Sequence, residues 1–460
     1  MRTHLIYILG ACALLSSCKV YRNYERPSDL PTDNLYRDTV ENGVLAGDTV
    51  NFGNRPWREV FTDPQLQSLI EQALASNTDL LQADLTLQQA EAALKPARLA
   101  YLPSLNFTPE GTISSFDGSK ATKTYTIPVA ASWQFGSIGS LRNQKQKAKI
   151  TVMQAEAAKQ SVQTSLIASV ANMYYTLLML DEQLNLTQET AKLWEKNVKT
   201  MEAMQVAAMT NSAAVAQAKA NYQGILATIP TLEQSIRSTE NTLCSVLHQA
   251  PQPIARGRFD QQQFPADLSV GVPLQLLSNR PDVKMAEMTL RSAVYDTNLA
   301  HSAFYPSITL SGSAGWTNNG GGGITNPGKF LASAIGSLVQ PLFNNGALRA
   351  NLKIAKAEEE SALLGFEQAL LNAGEEVSTT LGAYQTAVKQ AESRQKQVDQ
   401  LEKAAKETWA LFQHDRSTTY LETLTAQQSL ISAQLDLISD KFDRMQAVIS
   451  LYQALGGGRN

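Results

Sequence analysis

Pro306-Ser307-Ile308-Thr309-Leu310-Ser311-Gly312-Ser313-Ala314-Gly315-Trp316-Thr317 alternates along its length. The even positions Ile308, Leu310, Ala314 and Trp316 are apolar or small, and the odd positions Ser307, Thr309, Ser311, Ser313 and Thr317 are hydroxylic. Successive strand side chains point to opposite faces, so this period of two predicts a strand with one apolar and one wet face. Pro306 breaks whatever precedes it, because it has no backbone N–H and restricts its neighbour. Pro103 opens a similar stretch: Leu105, Phe107 and Ile113 alternate with Ser104, Asn106, Thr108, Glu110, Thr112 and Ser114. A return strand sets Tyr125, Ile127, Val129, Ala131, Trp133 and Phe135 against Thr124, Thr126, Ser132 and Gln134. The fourth stretch, 330–339, alternates less cleanly.

The two alternating regions belong to a duplication. Asp79, Leu80, Ala83, Leu87, Ala90, Ala97, Ala100, Pro103 and Ser104 recur as Asp282, Val283, Ala286, Leu290, Ala293, Ala300, Ala303, Pro306 and Ser307, at a constant offset of 203. Gly139, Leu141, Arg142 and Ala148 recur as Gly346, Leu348, Arg349 and Ala355, at an offset of 207. A repeat this long is read before any single motif. It divides the chain into a first repeat over 62–250, with strands near 103–116 and 123–136, and a second over 274–457, with strands near 305–317 and 329–340. Residues 251–273, rich in Pro and Gln, form the connector; 18–61 is an extended N-terminal segment and 458–460 a tail. Each repeat opens with a helix, over 80–99 and 283–300. The Gly320–Gly323 run between the last two strands reads as a loop.

Strands of about 11–13 residues are a little longer than a tilted strand needs to cross a bilayer. Four strands do not close a barrel, and an open edge in lipid leaves unpaired backbone groups that each cost several kcal/mol. A spanning sheet therefore has to be shared between copies, with eight strands in a dimer or twelve in a trimer. The competing reading is a soluble protein of two sheets, but the polar faces carry small hydroxyls where a soluble surface carries charge.

Long helical stretches follow each hairpin. Residues 142–208 and 349–415 hold no proline and are rich in Ala, Gln, Lys and Glu. At 1.5 Å per residue each spans about 100 Å. Second helices over 213–248 and 418–455 complete antiparallel pairs, in which the many alanines permit close packing. Breaks are expected mid-helix where aromatics gather, at Tyr174, Tyr175 and Trp194, and at Tyr384 and Trp409.

Composition excludes several classes. The 460 residues carry 39 Lys+Arg against 42 Asp+Glu, a net charge of -3, which gives no electrostatic reason to expect nucleic acid. Three cysteines, two of them within the first 18 residues, exclude a disulfide scaffold and a Cys-rich metal site. No nucleophile–base pair, phosphate-binding glycine loop or ligand cluster stands out, so the chain does not read as an enzyme, and no cofactor is expected beyond a covalent lipid. That lipid comes from the N-terminus. Arg2 and His4 precede an apolar stretch from Leu5 to Leu15 that ends Leu15-Ser16-Ser17-Cys18. This is a signal peptide over 1–17, too short to span a bilayer. It resembles a bacterial lipobox, which would leave Cys18 as the lipidated first residue. Lys19 resembles the residue that follows the cysteine in lipoproteins sent to the outer membrane.

The order of these parts resembles a known family. Trp57…Phe61-Thr62-Asp63-Pro64-Gln65-Leu66…Asn77-Thr78-Asp79-Leu80 is similar to the start of the first repeat in TolC-like and OprM-like outer membrane factors, in their lipoprotein branch. Arg280-Pro281-Asp282-Val283, Phe304-Tyr305-Pro306-Ser307-Ile308 and Gln340-Pro341-Leu342-Phe343-Asn344-Asn345-Gly346 resemble three later landmarks. Tyr420-Leu421-Glu422-Thr423-Leu424-Thr425-Ala426-Gln427-Gln428-Ser429-Leu430 and Leu451-Tyr452-Gln453-Ala454-Leu455-Gly456 resemble the last helix and terminus. The resemblance covers about residues 55–458.

It implies a mostly α membrane protein. Four strands per chain would join a shared 12-stranded barrel in a homotrimer, continued by a long α-helical barrel through the periplasm. An equatorial belt would draw on 187–205, 395–408 and the connector. The protein would stand in the outer membrane of a Gram-negative bacterium, lipid-anchored and in contact with outer-membrane lipid. It would dock onto a periplasmic adaptor and an inner-membrane pump, of the resistance-nodulation-division type in this branch. Its constriction would lie at the helix tips, around 208–212 and 415–419. By the Tyr-Leu-x-x-Leu-x-Ala pattern the ring positions are Glu422 and Thr425, the latter where an acidic residue is common; Arg416, beside Asp415, stands where glycine is usual. Arg416 and Glu422 also read as a solvated helix-tip charge cluster. Asp79 reads as a helix N-cap, Arg280 and Asp282 as helix-start contacts, and Cys244 as buried packing. Trp133 and Trp316 fit either aromatic belts at the membrane interfaces or packing on a neighbouring copy. His248, His301 and His414 suggest no metal site. A passive duct for small toxic compounds or drugs is the expectation. A protein-secretion channel and a non-channel adaptor lipoprotein are the alternatives.

Overall fold

The computed structural model describes residues 21–31, 35, 52–137, 139–264, 279–318, 329–414 and 418–459. Cys18 and the signal sequence, Asp415 and Arg416, the Gly320–Gly323 run and the connector beyond 264 lie outside the described residues. Among those described, the order is a 3-10 turn Phe52–Asn54, α1 Trp57–Val60, α2 Pro64–Ser76, α3 Thr78–Leu99, β1 Ser104–Phe107, β2 Glu110–Ser114, β3 Thr122–Ser137, α4 Ser140–Val206, α5 Ser212–Val246, a 3-10 turn Phe259–Gln261, α6 Pro281–Ser302, β4 Ser307–Thr317, β5 Lys329–Val339, α7 Ala347–His414 and α8 Tyr420–Ala454. The chain divides into two units. One is formed by Met1–Leu30, Leu85–Ala157 and Met285–Gln368, the other by Pro31–Asp84, Ala158–Lys284 and Ala369–Asn460.

The first unit holds one antiparallel sheet in the order β1-β3-β4-β5, with β2 also on β3. The stretch expected as a single strand over 103–116 is two strands, yet their register on β3 continues through the gap: Phe107 faces Val129 and Glu110 faces Thr126. Pro109 and Pro128 cause the interruption, because neither has an N–H to give the ladder; the Thr108 N–H still donates to the Pro128 carbonyl at 3.3 Å. β3 and β4 pair from Thr126–Thr317 to Ser137–Ser307, with a bulge between Gln134 and Gly136. Gly136 takes a positive φ of 59° there, a conformation a side chain would disfavour.

The long helices α4 and α7 each carry residues of both units and do not break. α4 runs 67 residues and α7 runs 68 without interruption, against the breaks expected at Tyr174, Tyr175, Trp194, Tyr384 and Trp409. The first three of these aromatics are buried contacts on continuous helices: Tyr174, Tyr175 and Trp194 are at most 1% exposed. Two prolines are accommodated within helices, Pro96 in α3 and Pro230 in α5. The N-cap of α3 is Asn77 and not Asp79: the Asn77 Oδ1 accepts from the N–H groups of Asp79 and Leu80 at 3.0 and 3.1 Å. The segment read as extended over 18–61 contains α1 and the 3-10 turn before it. Cys244 is buried, its Sγ 3.4 Å from the Gln252 carbonyl oxygen.

Candidate functional site

Cross-strand pairing sorts the sheet into two faces. Leu105, Phe107, Ile127, Val129, Ala131, Trp133, Ile308, Leu310, Ala314, Trp316, Phe330, Ala332, Ala334 and Leu338 share one face by register. Its large side chains are open: Leu105 is 70% exposed, Phe107 65% and Leu338 65%. A contiguous apolar face of this extent requires a cover, in lipid or in protein. The opposite face carries Ser104, Asn106, Thr126, Ser132, Gln134, Thr309, Ser311, Ser313, Ser333 and Ser337, and the Ser313 and Ser333 hydroxyls meet at 2.8 Å. β5 also places Leu331, Ile335 and Val339 on this polar side, which is why its sequence does not alternate cleanly. The free edges are β1/β2 and β5.

Trp133 and Trp316 stand at opposite ends of the apolar face. Trp133 pairs with Leu310, six residues along β4 from Trp316, which is about 20 Å. Each indole has an aromatic companion: Trp133 lies 4.4 Å from Phe135, and Trp316 lies 5.9 Å from Phe330 in a T-shaped contact. The Trp133 Nε1–H donates to the Tyr101 carbonyl at 3.0 Å, at the end of the sheet that leads into α4.

At that same end the N-terminal segment is fixed in place. The Tyr21 ring packs on Gly139 so closely that a Cβ there would meet Cε2 at 2.5 Å. Arg22 pairs with Glu359 at 2.7 Å, and its backbone exchanges hydrogen bonds with the Asn298 amide. Arg26 donates twice to Glu287, 2.8 Å each, and the Tyr24 hydroxyl donates to the same carboxylate. Burial, reinforced by the Glu287 charge, raises the Tyr24 pKa, so the phenol stays a donor. These contacts were not legible in the sequence, since more than 260 residues separate Tyr24 from Glu287.

The helix tips lie in the other unit. α4 ends at Val206 in a turn that places Ala208 at φ 57° and returns the Met209 N–H to the Met204 carbonyl at 2.8 Å. Glu422 occupies the third position of α8. Its carboxylate accepts the Thr419 N–H at 2.8 Å while the Thr419 Oγ1 accepts the Glu422 N–H at 3.3 Å, a reciprocal capping box. The Thr419-x-x-Glu422 spacing is the local signal for this. Thr425 is exposed and turns its hydroxyl back to the Leu421 carbonyl. Asp415 and Arg416 lie outside the described residues. Just beyond the turns, Val198, Met201, Val215 and Ala218 form a cluster with Phe412 and Tyr420, tying both helix pairs together.

Two further anchors hold this unit. Arg256 of the connector bridges Asp181 and Glu240 at 2.5 and 2.6 Å, and hydrogen bonding to Asp181 raises its pKa. Arg280 reaches Asp282, Glu376 and the Ala454 carbonyl. The stretch read as a C-terminal tail begins at a packed residue, Gly458, whose carbonyl accepts from Gln163. Among the described residues no group of acidic, His and Cys side chains could hold a metal ion, and no helix is long and apolar enough to cross a membrane.

The family model described as outer membrane efflux protein matches the chain twice, over residues 69–247 and 272–457. The probable outer membrane lipoprotein SilC of Salmonella typhimurium is 28% identical over 98% of this chain and 97% of its own. The toluene efflux pump outer membrane protein TtgC of Pseudomonas putida is 28% identical over 98% and 94%. The cation efflux system protein CusC of Escherichia coli is 28% identical over 96% and 97%. A solved structure of CusC superposes with a TM-score of 0.83 at 27% identity, covering 96% of this chain and 100% of that one. With most of its length inside the matched segments, the chain belongs to the outer membrane efflux protein family.

Proposed function

We propose that the chain is the outer-membrane channel of a tripartite efflux system, a passive duct that receives small toxic compounds from an inner-membrane pump through a periplasmic adaptor. The observation that carries this reading is the sheet: an exposed apolar face, a hydroxyl-lined opposite face and two unpaired edges. Such a sheet is stable in a bilayer only when its edges pair with those of other copies. Three copies would give twelve strands, the apolar face outward and the hydroxyls lining water. Trp133 and Trp316, about 20 Å apart, would sit near the two interfaces of an apolar band about 25 Å tall.

The N-terminal segment supports a direction in the membrane. Tyr21 is held at Gly139, and three residues of chain reach at most about 11 Å, so an anchor on Cys18 would act from the helix-bearing end of the sheet. A lipid on Cys18 would then enter the inner leaflet, with the long helices in the periplasm and the 115–121 and 318–329 connections outside. The relatives named for a cation and for toluene both match this chain over at least 94% of their own length, which favours cargo selection by the inner-membrane pump, of the resistance-nodulation-division type, over selection by the duct. Electron microscopy of the detergent-extracted mature protein tests the proposal. A three-fold tube well over 100 Å long is expected; a monomer or dimer of any shape would overturn it.

A further inference from the structure

The helix ends that adjoin the sheet, all in the first unit, carry an uneven charge. α3 has Lys95 and Arg98 in its last two turns. α4 has Arg142, Lys145, Lys147 and Lys149 in its first three turns, and α7 has Arg349, Lys353 and Lys356. α6 contributes one carboxylate near its end, Asp296, and Lys147 holds it at 2.5 Å. The whole chain is nearly balanced, with 39 basic and 42 acidic residues, so nine cations against one anion beside the sheet is a local build-up. Helix electrostatics runs the other way. The N-terminal end of a helix favours carboxylates and disfavours cations, yet neither α4 nor α7 has an acidic residue in its first turn. The basic residues answer to something outside their own helices.

Three contacts place them on the apolar side of the sheet, where the N-terminal segment also runs. The Lys145 Nζ lies 5.6 Å from the centre of the Tyr101 ring, and the Tyr101 carbonyl takes the indole N–H of Trp133 on the apolar face. The Arg142 Nη2 donates to Asn23 of the N-terminal segment at 3.1 Å. Lys356 and His301 line a cavity of about 690 Å³ together with residues 22–25 and Pro27. The duplication carries this face from one repeat to the other. Arg142 and Lys149 recur as Arg349 and Lys356, and Lys95 and Arg98 recur as Asn298 and His301. Asn298 bonds the Arg22 backbone. The N-terminal segment thus lies along the helices of the second repeat, while Lys95, Arg98 and Lys149 of the first stand exposed.

We propose that these residues form a basic collar that binds the phosphate groups of anionic phospholipids at the membrane face nearest the helices. The proposal rests on the channel reading above, which puts that face at the periplasmic surface of the outer membrane. Lys149 and Lys356 are the farthest from the sheet, nine residues into their helices, which is about 14 Å. A headgroup layer of about 5–8 Å and a Debye length of about 8 Å together cover that span. Each Lys or Arg near an anionic surface strengthens the attraction about five-fold.

Nanodiscs of phosphatidylglycerol and phosphatidylcholine in equal parts, loaded with the full-length mature protein, test the collar. Native mass spectrometry of the particle released from the disc identifies the lipids it retains. Phosphatidylglycerol should be enriched about five- to ten-fold. The combined variant Lys95→Gln, Arg98→Gln, Lys145→Gln and Lys149→Gln should bring the two lipids near parity with an unchanged thermal midpoint. The charge-conserving set Lys95→Arg, Arg98→Lys, Lys145→Arg and Lys149→Arg should keep the enrichment. The set Lys389→Gln, Lys396→Gln and Lys403→Gln, about 60 Å or more along α7 from Arg349, should keep it too. Equal retention in the parent protein, enrichment that survives in the first variant, or its loss in either control set overturns the collar. Electron microscopy of the same discs separates the two readings. A three-fold particle spanning the disc without lipid preference removes the collar and leaves the channel; a disc with no spanning particle removes both.

Discussion

Gly315 of β4 lies opposite Pro128 of β3 at so short a range that a Cβ on it would fall 2.5 Å from the proline Cα and 2.2 Å from the Ile127 carbonyl oxygen. Both obstacles are backbone, so no rotamer change relieves them. Gly315→Ala should therefore cost about 1–3 kcal/mol by overpacking. The loss should appear as a lower thermal midpoint of the strand signal in circular dichroism, with Gly336→Ala, which meets its first neighbour at 3.5 Å, as the tolerant control.

The tip of the first helix pair holds a residue in a conformation that suits glycine. Ala208 sits at φ 57°, where a Cβ crowds the following carbonyl. Ala208→Gly removes that strain but loosens the unfolded chain, leaving a net gain of about 0.5–1 kcal/mol. Hydrogen exchange of the amides at 207–211 should slow. Ala208→Val should speed it, and equal rates in all three proteins would refute the argument.

Glu422 has one duty in the structure and a separable second one under the proposed function. As the capping partner of Thr419 it needs an acceptor oxygen, which glutamine also provides. As one of three carboxylates around an axis, in the proposed trimer, it would need charge, which glutamine lacks. Glu422→Gln should keep the thermal midpoint and reduce cation selectivity, measured as the reversal potential across a planar bilayer under a salt gradient. Thr419→Ala should do the reverse, costing about 1 kcal/mol with selectivity intact. An unchanged reversal potential in Glu422→Gln leaves the residue as a cap alone.

Acid should weaken the Arg280 junction. Burial alone would raise the Asp282 pKa, but the hydrogen bonds and charge of Arg280 outweigh it and hold the carboxylate below 3.8. A depressed folded-state pKa contributes stability that is fully present above the unfolded value, near 3.9, and is lost as pH falls through the folded value. The denaturation midpoint should drop below pH 4, and Asp282→Asn should be less stable at pH 7 and flatter with acid. A parallel pH profile for the variant would contradict the assignment.

The sheet was readable because its signal is local: period two needs only neighbours along the chain. What escaped was set by partners far away. Pro109 breaks a strand that its side-chain alternation describes as continuous, because alternation reports faces and not donors. Leu331, Ile335 and Val339 defy the alternation on β5, whose outer edge has no partner among the described residues. Tyr174, Tyr175 and Trp194 looked like places where a long helix gives way. They are instead where other segments dock on it: the Tyr174 hydroxyl donates to Asp63 at 2.6 Å and accepts the Gly257 N–H at 2.9 Å. Arg256 had no visible purpose in the connector, because Asp181 lies 75 residues earlier. Asn77 and Glu422 were the opposite case, since both caps follow from spacing within four residues, Asn77 lying two positions before the Asp79 that was read as the cap.

The end of the chain closes the second unit. Gly457 fits under the Tyr452 ring, where a Cβ would come within 2.5 Å. The Tyr452 hydroxyl donates to the Arg55 carbonyl at 2.7 Å and accepts the Gly458 N–H at 2.9 Å, and burial pushes its pKa up to about 12. The Thr164 hydroxyl donates to the Gly457 carbonyl, and Arg280 to that of Ala454. Residues made almost 400 positions apart thus complete one another, so this unit cannot finish folding until residues 452–458 have been synthesised. Until those residues leave the ribosome the polypeptide stays open, and fit for passage across the inner membrane.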